Sequence, residues 1–215
     1  MKPSAIGPDV LMHATLVRHP FNRPGWGFEH KLDGFCALAW RERDRIELIS
    51  RTGRHLGMCF PEIVATLKQI PGTWVLDAEL VVPDKRGHPS FELVRRRGVM
   101  KLAGSIAVAA RSTPAALCVF DLLLRGAVDL RGLHLHRPQE HLAELIVDAP
   151  GIQRVKSLEE HGIALFEQAC LLDMEGVVGK DLTVDIPRRH TADVGEDQES
   201  ELLAPGGARI SRQAG

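Results

Sequence analysis

The sequence predicts an α+β fold in which antiparallel sheets carry helices on their outer faces. Apolar residues make up 44% of the 215 residues, which is enough for a sizeable core. Two apolar segments, residues 74–82 and 115–124, have the composition of strong strands. Helical patterns lie between the predicted strands without the strict strand–helix rhythm of a parallel sheet, so antiparallel sheets are favoured.

The remaining segments give the order of the shorter elements. A hairpin is predicted at residues 35–40 and 45–50, around the charged turn 41–44. Helices are predicted at residues 61–69, 90–97, 137–147 and 158–171. Ser90 is expected to cap the second of these helices, and Ser157 with Glu160 has the spacing of a capping box before the last. A final strand is predicted at residues 175–180.

The domain organisation follows from a change in composition near residue 180. We expect an N-terminal extension at residues 1–9, one domain at 10–180 and a divergent, poorly ordered tail at 181–215. The tail holds seven acidic residues against four arginines and no lysine. No apolar run suits a transmembrane helix, and no secretory signal is apparent, so no membrane partner and a cytoplasmic location are expected.

Cysteine spacing and charge exclude some classes of site. The four cysteines include no CxxC pair, so we expect buried free thiols in a reducing compartment rather than zinc or disulfides. The net charge is −1, with one basic cluster at Arg95, Arg96, Arg97 and Lys101. Such a cluster is usually a solvated helix face, and the alternative is a surface that contacts nucleic-acid phosphates.

Four polar clusters contain residues suited to chemistry. Lys31, followed by Asp33 and Gly34, suits a nucleophile with a nearby carboxylate, although a surface turn with a Lys–Asp pair gives the same pattern. Asp77 and Glu79 lie on one face of a predicted strand, where acids suit either solvent or a metal or ribose site. Phe120 is either core or a surface on which a purine stacks. Glu175 and Lys180 bracket the last strand; strict alternation places them on opposite faces unless a glycine bends the strand.

The order and spacing of these clusters resemble the motif series of covalent nucleotidyltransferases. The series is Lys31-x-Asp33-Gly34, Ser50-Arg51-x-Gly53, Asp77-x-Glu79, Phe120-Asp121-Leu122 and Glu175-Gly176-Val177-Val178-x-Lys180. It is most similar to the bacterial ATP-dependent DNA ligases that work in double-strand break repair. The resemblance spans about residues 10–180 and implies an ATP-grasp-like adenylation domain, with the nucleotide between two antiparallel sheets.

The resemblance also implies a role for each residue of the series. Lys31 is the implied catalytic nucleophile, which attacks the α-phosphorus of ATP, expels pyrophosphate and holds AMP. The implied nucleotide-binding residues are Glu29 at the adenine, Phe120 stacked on it, Arg51 and Glu79 at the ribose or phosphate, Asp33, and Lys180 at the phosphate. Glu79 and Glu175 are the implied Mg²⁺ ligands. Nicked double-stranded DNA is the implied partner, other repair proteins are further candidates, and the oligomeric state stays open.

The sequence departs from the family pattern at two places. The first motif usually ends in arginine, but Cys36 occupies that position, and a thiol cannot form the paired hydrogen bonds of a guanidinium. The tail also lacks the family's further lysine motif, and we expect the C-terminal OB-fold domain to be absent. We therefore expect a DNA ligase adenylation domain impaired by truncation, more in nick sealing than in self-adenylation. The alternatives are a non-catalytic ATP- or nucleic-acid-binding remnant and an RNA ligase or capping-type nucleotidyltransferase.

Overall fold

The computed structural model describes residues 1–11, 14–131, 136–147, 149–183 and 200–203. The chain forms two compact units, and each unit is built on one β-sheet. Unit 1 comprises residues 1–12, 32–156 and 182–196, and unit 2 comprises residues 13–31, 157–181 and 197–215. The predicted α+β class is confirmed, since both sheets are mainly antiparallel and are accompanied by helices.

The strands are β1 (Ala14–Leu16), β2 (Trp26–His30), β3 (Phe35–Glu42), β4 (Arg45–Ser50), β5 (Trp74–Val81), β6 (Ala116–Arg125), β7 (Val128–Asp129), β8 (Ile152–Arg154), β9 (Leu158–Glu159), β10 (Val177–Asp181) and β11 (Ser200–Leu203). The helices are α1 (Pro61–Leu67), α2 (Phe91–Gly98), α3 (Ala103–Ser112), α4 (His136–Leu145) and α5 (Gly162–Leu171), with 3-10 helices at Pro3–Ala5 and Pro8–Val10. Within the described ranges, no helix is long and apolar enough to cross a membrane.

The sheet of unit 1 runs in the order β4-β3-β5-β6-β7 and is antiparallel, with β8 added in parallel to β6. Its strands alternate between two apolar clusters. Leu76, Ala78 and Leu80 of β5 belong to the larger cluster, and Val75 belongs to the smaller one on the opposite face. The smaller cluster also contains Ile6, so the predicted N-terminal extension packs against this sheet.

The sheet of unit 2 runs in the order β1-β11-β10-β2-β9. It is antiparallel except for the parallel pair of β1 and β11. Trp26 and Phe28 of β2 are buried with Leu165 and Ala169 of α5, which packs against this strand. Gly162 permits the close approach of α5, because a Cβ atom there would lie 2.5 Å from the Phe28 ring.

Most predicted elements are confirmed within a few residues of their bounds, including the hairpin of β3 and β4 and the Ser90 cap of α2. The prediction of a helix from residue 158 is wrong at its start. Residues Leu158–Glu159 form β9, Glu160 adopts a positive φ of 63°, and α5 begins at Gly162. The prediction of buried thiols is confirmed for Cys118, whereas Cys36 and Cys59 are partly buried and Cys170 is exposed.

The predicted tail is only partly described. Residues 200–203 form β11, which pairs with β10 and β1. Residues 184–199 and 204–215 lie outside the described residues, so the prediction of a poorly ordered tail stays a prediction there.

Candidate functional site

Lys31 directly follows β2 and is anchored to the segment before β10. Its backbone N–H donates to the carbonyl of Gly176 at 2.9 Å. Its ammonium forms an ion pair with the carboxylate of Glu175, and 27% of the Lys31 side chain is exposed. Gly176, with φ of 152°, separates Glu175 from β10. The predicted nucleophile is therefore accessible, and its backbone is fixed by a strand-like hydrogen bond.

Glu29 and Lys180 form a buried ion pair on the face of β2 and β10 opposite to α5. The register pairs Val178 with Glu29 and Lys180 with Gly27, so Lys180 is a diagonal neighbour of Glu29. The Lys180 ammonium lies 2.7 Å from Oε2 of Glu29, and only 7% and 2% of the two side chains are exposed. Gly27 has no side chain opposite Lys180, which leaves room for the lysine to reach across. Glu29 and Lys180, which are both predicted to contact the nucleotide, thus also form an ion pair with each other.

Ser157 is a member of this cluster that the sequence analysis did not identify. Its hydroxyl donates to Oε1 of Glu29 at 2.5 Å, so it does not cap a helix as predicted. The two residues are 128 positions apart, and their contact results from the pairing of β9 with β2. The only signal in the sequence was a serine at an apparent helix start, which gave the wrong role.

His30 lies between Glu29 and Lys31 and is partly buried. Burial lowers the pKa of the His30 imidazole, and a side-chain hydrogen bond with Gln168 opposes this shift. The neutral form of His30 is therefore favoured in unit 2. This residue adds no positive charge next to the predicted nucleophile at neutral pH.

In unit 1, the central strands place Cys36, Glu79 and Cys118 in one row. Cys36 pairs with Glu79 across β3 and β5, and Glu79 pairs with Cys118 across β5 and β6. Glu79 is 6% exposed, so this residue is largely shielded from water. Burial and the neighbouring Glu79 carboxylate raise the pKa of the Cys36 thiol to about 12. Cys36 is therefore a neutral thiol beside a carboxylate.

Arg51 is placed against the same row by a tight turn after β4. Its backbone N–H donates to the Cys36 carbonyl at 3.0 Å, and the turn is closed by Gly53, which has a positive φ of 79°. The exposed Arg51 guanidinium donates to Cys36 Sγ at 2.8 Å. The position where the family pattern has an arginine thus holds a sulfur that accepts a hydrogen bond from another predicted site residue.

Asp33 and Gly34 have structural contacts within unit 1. Oδ2 of Asp33 accepts from the Phe91 backbone N–H at 3.0 Å, which satisfies a donor in the first turn of α2. A Cβ atom on Gly34 would lie 2.5 Å from the Leu80 carbonyl oxygen and 2.9 Å from Cγ of Glu79. The close backbone approach that Gly34 permits is therefore to β5.

Phe120 is the extra residue of a β-bulge. On β6, Val119 pairs with Ala78 and Asp121 pairs with Asp77, so Phe120 is inserted between two successive pairs of the register. A bulge redirects the side chain of its extra residue and is common beside functional sites. Phe120 is partly exposed, unlike the buried Val119 and Asp121. This geometry agrees with a stacking surface better than with ordinary core.

The metal-binding prediction concerns one carboxylate in each unit, Glu79 and Glu175. Among the residues that the structure describes, no group of three or more His, Cys, Asp or Glu side chains could hold a metal ion. Mg²⁺ is usually bound by one or two carboxylates together with substrate phosphates and water, and it does not need an all-protein cage. The donor chemistry of these two residues is therefore compatible with a magnesium ion that accompanies a nucleotide.

The basic cluster is smaller than the sequence suggested, because Arg97 belongs to the core of unit 1. Its guanidinium donates to both carboxylate oxygens of Glu62 at 2.7 Å and lies 5.1 Å from the centre of the Phe60 ring. Only 3% of Arg97 is exposed, whereas Arg95, Arg96 and Lys101 are exposed. Three cations of the cluster therefore remain at the surface.

Comparison with known proteins identifies the family to which this fold belongs. The family model described as ATP dependent DNA ligase domain matches residues 13–187. The chain belongs to this family.

Similar proteins are found among bacterial DNA ligases. DNA ligase C2 of Mycolicibacterium smegmatis is 36% identical over 59% of this chain and 35% of its own length. DNA ligase C1 of the same organism is 31% identical over 81% of this chain and 51% of its own length. A structure of mycobacterial DNA ligase D complexed with ATP and MES superimposes with a TM-score of 0.68 at 25% identity, over 91% of this chain and 60% of that chain. The chain thus spans between about a third and three fifths of these proteins.

Proposed function

We propose that this chain transfers AMP from ATP to Lys31, as the first half of a DNA-joining reaction in repair. The observation that carries the proposal is the position of Lys31. Its ammonium lies at the end of a buried strand with 27% of the side chain exposed, while the other lysine of the cluster is 7% exposed and paired with Glu29. Of these two amines, that of Lys31 is the more exposed, and we therefore propose it as the nucleophile.

The proposed reaction is a substitution at the α-phosphorus of ATP. Lys31 leaves its ion pair with Glu175, gives a proton to solvent water and forms a bond from Nζ to phosphorus, while the bond to the bridging oxygen breaks and pyrophosphate departs. We assign the carboxylates of Glu79 and Glu175 as Mg²⁺ ligands, and bound Mg²⁺ would neutralise phosphate charge. The backbone hydrogen bond from Lys31 to Gly176 limits how far the nucleophile can move, and such positioning favours an in-line attack.

The remaining predicted residues are assigned to parts of the nucleotide. Phe120 is proposed to stack on adenine, which its place in a β-bulge supports. Glu29 is proposed to accept from the adenine amine, since a carboxylate has acceptors only. Arg51, Asp33 and Lys180 are proposed at the ribose and phosphates. Both Asp33 and Lys180 also have structural contacts, so their substitution is expected to affect folding as well.

In the second half of the proposed reaction, AMP passes to the 5′-phosphate of a DNA nick and the 3′-OH displaces it. DNA ligase C of Mycobacterium tuberculosis and the multifunctional non-homologous end joining protein LigD of Pseudomonas aeruginosa, which are similar to this chain, support DNA as the joined molecule and a role in end joining. The exposed Arg95, Arg96 and Lys101 are candidates for phosphate contacts. We propose the cytoplasm, where bacterial DNA is located, as the place of action.

The direct test is incubation with α-labelled ATP and Mg²⁺, followed by a denaturing gel. We expect a label that survives denaturation in the wild type and none in Lys31→Ala. The matched control is Lys85→Ala, which removes an exposed lysine from a turn and is expected to keep the label. A label of equal strength in Lys31→Ala, or none in the wild type, would contradict the proposal.

Two further arms separate the alternatives. Labelled GTP in place of ATP distinguishes an adenylating enzyme from a capping-type enzyme. A pre-adenylated nick in DNA or RNA tests the joining step without self-adenylation and identifies the nucleic acid. ATP binding without any covalent label would indicate a non-catalytic binding domain.

A further inference from the structure

The contact between Ser157 and Glu29 has a geometry that local structure alone does not explain. Ser157 stands immediately before β9, a strand of only two residues. In the register of β9 with β2, Leu158 pairs with Phe28 and Glu159 with Gly27. Extending that antiparallel register by one residue places position 157 opposite Glu29. The short strand therefore brings a hydroxyl to the side chain of Glu29.

The end of β9 strengthens the same arrangement. The backbone N–H of Glu160 donates to the Trp26 carbonyl at 2.9 Å, which continues the pairing beyond the strand. Glu160 then adopts a positive φ of 63°, and the chain turns into α5. The segment from Ser157 to Glu160 is thus held along β2 at both ends. The Ser157 hydroxyl is therefore placed beside Glu29 by a segment that pairs with β2.

The carboxylate of Glu29 is held through both oxygens. Oε1 accepts from the Ser157 hydroxyl at 2.5 Å, and Oε2 lies 2.7 Å from the Lys180 ammonium. The first contact is a directional hydrogen bond and the second is an ion pair without hydrogen-bond geometry, so together they restrict the rotation of the carboxylate. Each carboxylate oxygen retains a further lone pair for a ligand donor. Glu29 is therefore an acceptor whose direction is set by the protein.

A fixed acceptor discriminates between purines. Adenine presents a 6-amino donor, whereas guanine presents a 6-oxo acceptor at the same position. A carboxylate that cannot rotate away favours the first and is repelled by the second. We propose that Ser157 is a positioning residue for base selection, which orients Glu29 so that ATP is preferred to GTP. This inference rests on the proposed function, and specifically on the assignment of Glu29 to the adenine.

The test compares Ser157→Ala and Ser157→Thr with the wild type in the labelled-nucleotide assay, using both ATP and GTP. We expect Ser157→Ala to raise the KM for ATP and to reduce the preference for ATP over GTP by about tenfold, the effect of one hydrogen bond to a charged group. Ser157→Thr keeps the hydroxyl and is expected to restore most of the preference. Ser105→Ala, which removes an exposed hydroxyl in α3, is the matched control and should change neither quantity.

A double-mutant cycle shows whether Ser157 acts through Glu29. In a Glu29→Gln background, Ser157→Ala is expected to change the ATP-to-GTP ratio by less than about twofold, because the group that it orients is already altered. An equal loss with both nucleotides, together with a lower melting temperature, would make the role of Ser157 structural and overturn the proposal. An unchanged ratio in Ser157→Ala would overturn it as well.

The outcomes also separate this inference from the proposed function. Binding of ATP and GTP to the full chain is measured by calorimetry alongside the label, so selectivity is decided even where no covalent product forms. A wild type that labels Lys31 and a Ser157→Ala variant with the same selectivity would overturn only the role of Ser157. A wild type that binds neither nucleotide would overturn both.

Discussion

In unit 2 the charged candidate residues form ion pairs with each other. In unit 1 the candidate carboxylate Glu79 lies instead between two thiols on the neighbouring strands. Lys31 is paired with Glu175, and Lys180 with Glu29. In unit 1, Glu79 lies between Cys36 and Cys118 on the neighbouring strands, and the Arg51 guanidinium is directed at Cys36 Sγ. Unit 2 therefore follows the family pattern in its charges, while unit 1 contains the departure from it.

The difference indicates how substitutions in the two units should behave. Removing one member of a buried ion pair leaves an uncompensated charge, so changes in unit 2 are expected to cost stability. Cys36 is a neutral thiol, and replacing it removes no charge from the fold. Changes at this position are expected to act mainly on the nucleotide reaction. The following predictions test this contrast in order of expected effect.

The largest effect is expected for Lys180→Met, which leaves the Glu29 carboxylate buried without its ammonium partner. We expect the free energy of unfolding to fall by about 3–5 kcal/mol. Urea unfolding followed by circular dichroism measures this loss. Lys85→Met, at an exposed turn, is the matched control and should change little. The Glu29→Gln/Lys180→Met double variant should recover much of the loss, and a single variant as stable as the control would show that the pair contributes nothing.

A smaller effect, on activity, is expected for Cys36→Arg. Position 36 pairs with Glu79, so an arginine there gains a carboxylate neighbour and can direct a guanidinium at the nucleotide. A hydrogen bond to a charged group contributes about 1.5–3 kcal/mol, which predicts a tenfold to hundredfold faster formation of the Lys31 adduct. Cys170→Arg adds the same charge at an exposed position and should give no gain. If both variants behave alike, position 36 does not serve the nucleotide.

How far the fold can be predicted from the sequence differs between its elements. The sequence predicts strands β5 and β6, because long apolar runs with β-branched residues and acids on one face fit few structures other than a strand. The strands β1, β8, β9 and β11 have two to four residues each and are too short to show a periodic pattern. Helix α3, residues Ala103–Ser112, was not predicted, since its apolar residues form only a weak helical face.

The candidate site shows the same limit at the level of single residues. The predicted nucleophile and its acidic and basic neighbours could be proposed from the order of the motifs alone. Ser157 could not, because its serine–glutamate spacing matches a capping box and its true partner is 128 residues away. The bulge at Phe120 depends on the register of two strands, and the burial of Arg97 depends on Glu62. Long-range contacts decided each of these cases.

The smallest effect is expected from pH, and it concerns His30 in unit 2. Burial lowers the pKa of His30 below its ordinary value of 6.5, so the unfolded chain binds this proton more readily than the folded chain. Stability contributed by the neutral imidazole is therefore complete above pH 6.5 and is lost as the pH falls towards the folded-state pKa. The slope of the free energy of unfolding against pH that is due to one group cannot exceed about 1.4 kcal/mol per pH unit.

Urea unfolding between pH 7.5 and about 5 should show this decline in the free energy of unfolding. His30→Gln should remove the part of the slope that is due to His30, because glutamine does not titrate. Parallel slopes for wild type and variant would show that His30 is as readily protonated in unit 2 as in the unfolded chain.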